Sequence, residues 1–326
     1  MRAVKYHGDG GPEVVGLTEV PDPEPGPGQV LIEVVAAGMN RADVMQRLGV
    51  YPPPEGITEV PGLEVSGHVV GTADDAGAEL LGREVVALLA GGGCAERVAV
   101  DARHVLPVPE GVDLLDAAGL IEVAATVHST LITGAQARQG ETVLVHGGAG
   151  GIGSFALQLL NALNITAVTT VGSPEKAQLA AQLGAEHVIE HQQEDFVQQV
   201  AEISSGRGVD VILDVVGAKY LEKNMRALAM DGRLAVIGLQ GGRKAELDLG
   251  RMLSRRLRII ATTLRSRDAE DKAGIVRAVG KEVWPLIAEG RIAAQTDRVF
   301  DLGEARKAHE YFDSGLHTGK VLLCMR

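Results

Sequence analysis

The sequence predicts an α/β protein in two parts, a β-rich leading stretch followed by a doubly wound parallel sheet. Three observations predict it. From Thr142 onward, short apolar runs alternate with helix-type runs in a βαβαβ rhythm. The first turn of that series, His146 to Gly153, is packed with glycine. Before about residue 120, strand-like runs are separated by proline and glycine clusters instead of helices.

Taken in order, strands are expected over 30–37, 64–71, 84–89 and 96–100, with the clusters 21–28, 51–56 and 91–93 between them. Residues 40–48 form one short helix. Such a pattern suits a small barrel or sandwich. Near residue 114 the texture changes. Asp113 or Asp116 caps a helix through 117–125, and a second helix over 126–131 leads to the glycine turn. The helix after that turn carries Ile152, Phe155, Ala156, Leu159 and Leu160 at its apolar positions. Strands at 165–171, 186–189, 209–216 and 232–238 then alternate with helices at 174–183, 195–204 and 221–229. Ser173 is placed to cap the first of these, with Pro174 at its first position. One long helix is expected over 270–290 and another over 303–314. A last strand at 320–324 is expected to return the chain to the first part.

Composition narrows the function. The 326 residues suit two domains at roughly 150 residues each. Aromatic residues are only 3%, so the cores must be built from Val, Leu, Ile and Ala. A net charge of −12 offers no basic footprint for nucleic acid and disfavours an anionic membrane surface. Cys94 and Cys324 lack metal-ligand spacing, so no metal site of the usual zinc kinds is expected. The N-terminal residues have no apolar core of a signal peptide, and no run approaches the ~18 apolar residues of a membrane span. A cytoplasmic protein is expected.

Gly148, Gly150 and Gly153 fit G-x-G-x-x-G between a strand and a helix. Glycines there allow a tight turn and a close backbone approach to a pyrophosphate, and the helix start offers free N–H groups to it. An ordinary tight β–α connection is the alternative. Dinucleotide sites selective for NAD place an acidic residue about 20 positions on, at the ribose hydroxyl. Here that place reads Val171-Gly172-Ser173, with Lys176 one helical turn further. Room, a hydroxyl and a positive charge suit a 2′-phosphate, so NADPH is the expected cofactor. The alternative leaves Ser173 as a cap and Lys176 solvated.

Several motifs in order then resemble the medium-chain dehydrogenase/reductases. They are Glu19-Val20-Pro21, Ala36 to Asp43, Gln46-Arg47, Tyr51-Pro52-Pro53-Pro54, Gly62-Leu63-Glu64, Ala90 to Gly93, the glycine turn, Gly172-Ser173 with Lys176, Asp231-Gly232-Arg233, Leu264 to Asp268 and Gly319-Lys320. Within that superfamily the chain is similar to NADPH quinone oxidoreductases of the zeta-crystallin type, nearest to the tumour-suppressor-inducible branch. The resemblance implies a GroES-like β-barrel catalytic domain at 1–120 and 263–326. It implies a Rossmann domain at 121–262, and usually a homodimer joined through edge strands. Zinc-dependent relatives use a cysteine in the Asn40 region and a His-Glu pair after the Gly62 glycine. Here those places hold Asn40 and Leu63-Glu64, so a zinc-independent enzyme is implied.

By the same resemblance Asn40 and Thr126 flank the nicotinamide, and Gly150, Gly151, Ile152 and Gly153 hold the pyrophosphate. Gly172, Ser173 and Lys176 hold the 2′-phosphate, and His191 stands where a tyrosine near the adenine is expected. Gly238, Leu239, Leu264 and Arg265 line the nicotinamide end, and Tyr51 donates a hydrogen bond to the substrate. Asn40 alternatively only fixes a turn, Tyr51 only packs a loop, and Thr126 is only a buried helix hydroxyl. Cys94 also stands in place of an expected tyrosine. Ala124 and Ala125 replace an expected aromatic residue, which implies a wider substrate pocket. His128 and His146 are read as structural. The expected reaction is hydride transfer from NADPH to a small quinone. Alternatives are reduction of the activated C=C bond of an enal or enone, or a non-catalytic crystallin-like nucleotide binder.

Overall fold

The computed structural model describes residues 1–326. It has two compact units, Met1–Ala125 with Leu264–Arg326, and Thr126–Thr263. The first unit begins with an antiparallel pair, β1 (Arg2–Tyr6) and β2 (Val15–Glu19). There follow β3 (Gln29–Gly38), α1 (Arg41–Arg47), β4 (Glu64–Thr72), β5 (Glu84–Leu88), β6 (Arg97–Asp101) and β7 (Val105–Pro107). Next come α2 (Leu114–Ala117) and α3 (Ile121–Val127). Asp113, not Asp116, caps α2 by accepting the Leu115 N–H, and the expected single helix over 117–125 is two.

The second unit alternates strand and helix. Its elements are β8 (Thr142–His146), α4 (Gly151–Ala162), β9 (Thr166–Val171), α5 (Pro174–Gln182), β10 (His187–Glu190) and α6 (Phe196–Ile203), then β11 (Val209–Asp214), α7 (Leu221–Ala227), β12 (Leu228–Val236), α8 (Leu249–Arg255) and β13 (Arg258–Ala261). Every pairing in this sheet is parallel, in the order β10-β9-β8-β11-β12-β13. Such a sheet is covered on both faces. Leu144, Val168, Ile212 and Leu234 are fully buried, so its strands read as continuous apolar runs. The order reverses direction between β8 and β11, and ligands of such sheets bind beyond the carboxyl ends of the strands at that point.

The chain then completes the first unit with α9 (Ala269–Glu282), α10 (Trp284–Ala288), β14 (Thr296–Asp301), α11 (Ala305–Asp313) and β15 (Lys320–Cys324). The expected long helix over 270–290 breaks at Val283, because Pro285 has no N–H to continue the ladder. The first unit's main sheet runs β14-β15-β3-β4-β5-β7, with β6 also paired to β3. Inward residues alternate along β3, where Val30, Ile32 and Val34 are buried. They pack with Val65, Val85, Val98, Val321 and Leu323 in one core. β3 pairs antiparallel with β4 on one side and, at its end, with β15 on the other. Both therefore begin where β3 ends, which brings Lys320 and Glu64 together beside Met39 and Asn40. No helix is long and apolar enough to cross a membrane.

Candidate functional site

In the second unit the chain leaves β8 at His146 and makes the glycine turn before α4. The N–H groups of Gly147 and Gly148 donate to Thr170 O at 3.0 and 3.1 Å, which ties the turn to the end of β9. A side chain at Gly148 would collide with Thr169, and one at Gly153 with Gly147 O and the Gly148 Cα. Gly150 differs: the nearest protein atom to a Cβ there is Gly147 O at 3.6 Å. Two glycines are thus required by the protein itself, while Gly150 borders space that the protein leaves open. Helix α4 begins on Gly150 with no side-chain cap and no acidic residue in its first turn. By contrast, α5, α6 and α8 are capped by Ser173, Asp195 and Asp248. The first-turn N–H groups of Gly151, Ile152 and Gly153 have no carbonyl four residues back inside the helix. They form a bare positive end that fits a pyrophosphate.

A buried polar chain fixes the strand ends around this turn. Asp214 accepts the N–H groups of Val216 and Gly217 at 2.6 and 3.1 Å, and the Asn224 amide at 3.1 Å. A carboxylate only accepts, so the Asn224 nitrogen faces Asp214 and its Oδ1 faces His146 Nε2 at 2.8 Å. His146 Nε2 must then carry the proton, and Nδ1 accepts from the Thr170 hydroxyl at 3.0 Å. Burial lowers the His146 pKa to about 4, keeping the ring neutral. Its edge-on contacts with Phe196 and Tyr220 complete a structural role. Beyond β11 and β12, the turns at Val215 and Gly238 pack so closely that a Cβ at Gly238 would lie 2.7 Å from Val215 O. Leu239, beside it, is exposed.

At the end of β9, Gly172 and Ser173 are half-buried, and the His191 ring is exposed with its Nε2 3.5 Å from where a Gly172 Cβ would lie. Ser173 Oγ accepts the Lys176 N–H at 3.3 Å and so caps α5. The same hydroxyl bonds to Glu175, holding that exposed carboxyl below the usual range. The capping role proposed as the alternative for Ser173 is therefore present. No acidic residue lies at 171–173 itself. Thr126 is half-buried near the end of α3, and its carbonyl accepts the Ser129 hydroxyl at 3.4 Å.

In the first unit, Asn40 leads into α1. Its backbone N–H donates to Asp43 Oδ2 at 2.8 Å, and Gly62 N–H donates to Asp43 Oδ1 at 3.0 Å. Complete burial raises the Asp43 pKa to about 6, against the pull of those two N–H groups. The Asn40 amide nitrogen spends both protons internally, on Gly38 O and Glu64 Oε1, each at 3.1 Å. Asn40 Oδ1 accepts from Lys320 Nζ at 2.7 Å. Lys320 Nζ also donates to Met39 O at 2.8 Å and pairs with Glu64 Oε1 at 2.6 Å. Glu64 Oε2 accepts the Glu122 N–H at 3.0 Å. Glu64 is fully buried and Lys320 is 5% exposed. The Asn40 side chain thus ties the start of α1 to β3 and β4, and both its amide donors are committed. A Cβ on Gly38 would collide with Glu64 Oε1, so glycine is needed beside the carboxylate.

Arg265 organises the rest of this face. Its guanidinium donates to Ala90 O at 2.7 Å, Tyr51 O at 3.2 Å and Gln46 Oε1 at 2.7 Å. It also lies over the Tyr51 ring, 5.5 Å from the centroid. Leu264, half-buried, precedes it. Sequence reasoning placed Arg265 at the nicotinamide end of the cofactor; its guanidinium is bonded to the Tyr51 loop. It read Ala124 and Ala125 as standing in for an expected aromatic residue; both are fully buried in α3. It missed Lys320 as a partner of Asn40, the only advance signal being the Gly319-Lys320 motif. No group of three or more His, Cys, Asp and Glu residues is arranged to hold a metal. Cys94 and Cys324 are buried free thiols, and burial pushes Cys94 well up. A lysine ammonium seated on Glu64 does not fit a divalent ion at the same place.

A family model described as zinc-binding dehydrogenase matches residues 151–279, and one described as the alcohol dehydrogenase GroES-like domain matches 26–110. A quinone oxidoreductase of Pseudomonas aeruginosa is 31% identical over 324 residues, covering 99% of this chain and 99% of the relative. A solved Escherichia coli quinone oxidoreductase complexed with NADPH matches with a TM-score of 0.89 at 28% identity, over 99% of this chain and 100% of that one. A solved NAD-dependent alcohol dehydrogenase matches with a TM-score of 0.89 at 27% identity, over 100% of both chains.

Proposed function

Because this chain belongs to the medium-chain dehydrogenase/reductase superfamily, we propose that it is a zinc-independent, NADPH-dependent reductase acting on quinones. NADPH, when bound, supplies the hydride. The first-turn N–H groups of α4 hold its pyrophosphate, with Gly150 leaving the space for it. Gly172, Ser173, Lys176 and His191 surround the adenosine ribose and its phosphate. Asn40, Thr126, Gly238, Leu239, Leu264 and Arg265 flank the nicotinamide, and Tyr51 offers its hydroxyl to an acceptor oxygen.

One observation carries the metal-free part of this reading: the Lys320 ammonium lies 2.6 Å from Glu64 Oε1, where zinc-dependent relatives place their metal ligands. An alcohol or aldehyde needs a Lewis acid or a proton donor to manage charge on one oxygen. A quinone spreads incoming charge over its ring and second oxygen. It needs only hydrogen bonds from the protein and takes its proton from water. The quinone reading also rests on the full-length likeness to the Pseudomonas aeruginosa relative.

The test is steady-state oxidation of NADPH and NADH with small ortho- and para-quinones, enals and enones, before and after chelation. Turnover of quinones that survives chelation is expected. Product formation confined to the C=C substrates would replace the quinone reading. No turnover with any acceptor would leave a nucleotide binder. The expected homodimer is supported by β13, an edge strand of its sheet with Ile259 exposed, beside the exposed Leu249 and Leu253 of α8. Light scattering should give twice the 34.1 kDa chain mass.

A further inference from the structure

We propose that Lys320 is a positioning residue that acts through Glu64, as an internal countercharge at the turn carrying Asn40. The proposal rests on the placement of that turn beside the nicotinamide under the reading above. Lys320 presents three N–H donors and three acceptors meet them: Met39 O, Asn40 Oδ1 and Glu64 Oε1, at 2.8, 2.7 and 2.6 Å. Glu64 is satisfied in turn by the Asn40 amide and the Glu122 N–H. The cluster joins the end of β3 and the starts of β4, β15 and α3. Asp43 of α1 also bears on it, and Lys320 and Arg265 both favour its carboxylate form.

A buried ion pair is an uneconomical way to hold strands together, since apolar residues of the same volume are often as stable or more so. Its chemical consequence is different. Glu64 alone would put an uncompensated negative charge next to the Asn40 turn. Such a charge would favour the cationic oxidised nicotinamide over the neutral reduced one, and would oppose negative charge growing on an acceptor. Lys320 removes that bias while leaving Glu64 its two structural hydrogen bonds.

The experiment is equilibrium fluorescence titration of NADPH and NADP⁺ into Lys320→Met, Lys320→Arg, Glu64→Gln and the Lys320→Met/Glu64→Gln double variant, each checked for a cooperative melt. Lys320→Met should shift the ratio of the two affinities toward NADP⁺ on the order of tenfold, the scale of one unit charge acting through partly solvated protein. The arginine variant should keep the wild-type ratio, and the double variant should restore it. Glu64→Gln, which leaves Lys320 uncompensated, should shift the ratio toward NADPH, and this arm decides the matter if Lys320→Met does not fold. Unchanged ratios in folded Lys320→Met or in Glu64→Gln would overturn the proposal while leaving quinone reduction by the wild type intact. A wild type that binds neither form would overturn both readings.

Discussion

The two units hold their candidate residues with opposite materials. In Thr126–Thr263 the candidate phosphate end is backbone: glycines, an uncapped helix start and neutral hydrogen bonds around His146. In Met1–Ala125 with Leu264–Arg326 it is buried charge: Glu64 on Lys320, and Arg265 spread over three acceptors. Backbone recognition tolerates little change in shape, whereas a charge network tolerates little change in pairing. The difference predicts which substitutions each unit withstands.

The largest effect should follow from breaking the buried pair. Lys320→Ala or Glu64→Ala should each cost about 3–5 kcal/mol, because each leaves the other charge buried alone. Replacing both with apolar residues of similar volume should recover most of that loss. Urea unfolding followed in the first unit measures it. Equal losses in the single and double variants would mean that the attraction within the pair, not the penalty of a lone buried charge, is what holds the cluster.

Acid should separate the units next. The His146 pKa is depressed from 6.5 to about 4, so its contribution to stability is complete above pH 6.5 and is lost as pH falls toward 4. At about 1.4 kcal/mol per unit, that loss approaches about 3 kcal/mol for the second unit. In the first unit His309 works in the same direction, held to about 3 by burial and by Arg47. Asp43 opposes it there: its pKa is raised to about 6, so its contribution is present below 3.8, lost as pH rises through 6, and regained on acidification. The two largely offset; in the second unit Asp214 also opposes, raised by burial but held back by the Val216 and Gly217 N–H groups and Asn224, so it offsets His146 only in part and the second unit should open first. Hydrogen exchange at pH 5 should show earlier loss of protection in β8 and β9 than in β3 and β4, and the reverse order would refute the assignment.

The glycines sharpen the comparison within the second unit. Gly153→Ala drives a Cβ into Gly147 O and should cost roughly 1–3 kcal/mol of stability as well as NADPH binding. Gly150→Ala meets no protein atom closer than 3.6 Å, so the melting temperature should hold. Its methyl group would nevertheless occupy the space assigned to the pyrophosphate, weakening NADPH about tenfold, or about 1.4 kcal/mol. Calorimetric melting and titration of both variants separate a residue needed for the fold from one needed for the ligand.

What was legible in the sequence follows the same division. The glycine turn and the Ser173 and Asp113 caps announce themselves in a few consecutive residues, although the turn is tied to Thr170 of the next strand. The fold class followed from them and from the β–α rhythm. The short edge strands β13 and β14 are half-exposed and lack a clean alternation, so no strand was expected there. The charge cluster was illegible for another reason. Lys320 and Asn40 are 280 positions apart, and only the antiparallel placement of β15 and β4 around β3 makes them neighbours. Arg265 shows the same limit. Its motif marked it as important, but its three acceptors on 46, 51 and 90 could be known only from the fold.

The smallest expected effect tests whether the backbone-built unit uses any side-chain charge at all. The segment 171–173 has no acid to select NAD, while Lys176 sits in the first turn of α5 and Glu175 is exposed beside it. If Lys176 contacts the 2′-phosphate, Lys176→Ala should weaken NADPH severalfold and leave NADH nearly unchanged. The preference should also shrink as salt rises, because exposed charges are screened beyond about 8–10 Å. Ser173→Ala should act differently. It removes a helix cap worth about 1 kcal/mol, so the melting temperature should fall along with affinity for both cofactors. Equal loss of NADPH and NADH in Lys176→Ala would mean that the unit recognises its cofactor through backbone alone. The contrast between the two units would then extend to the ribose end as well.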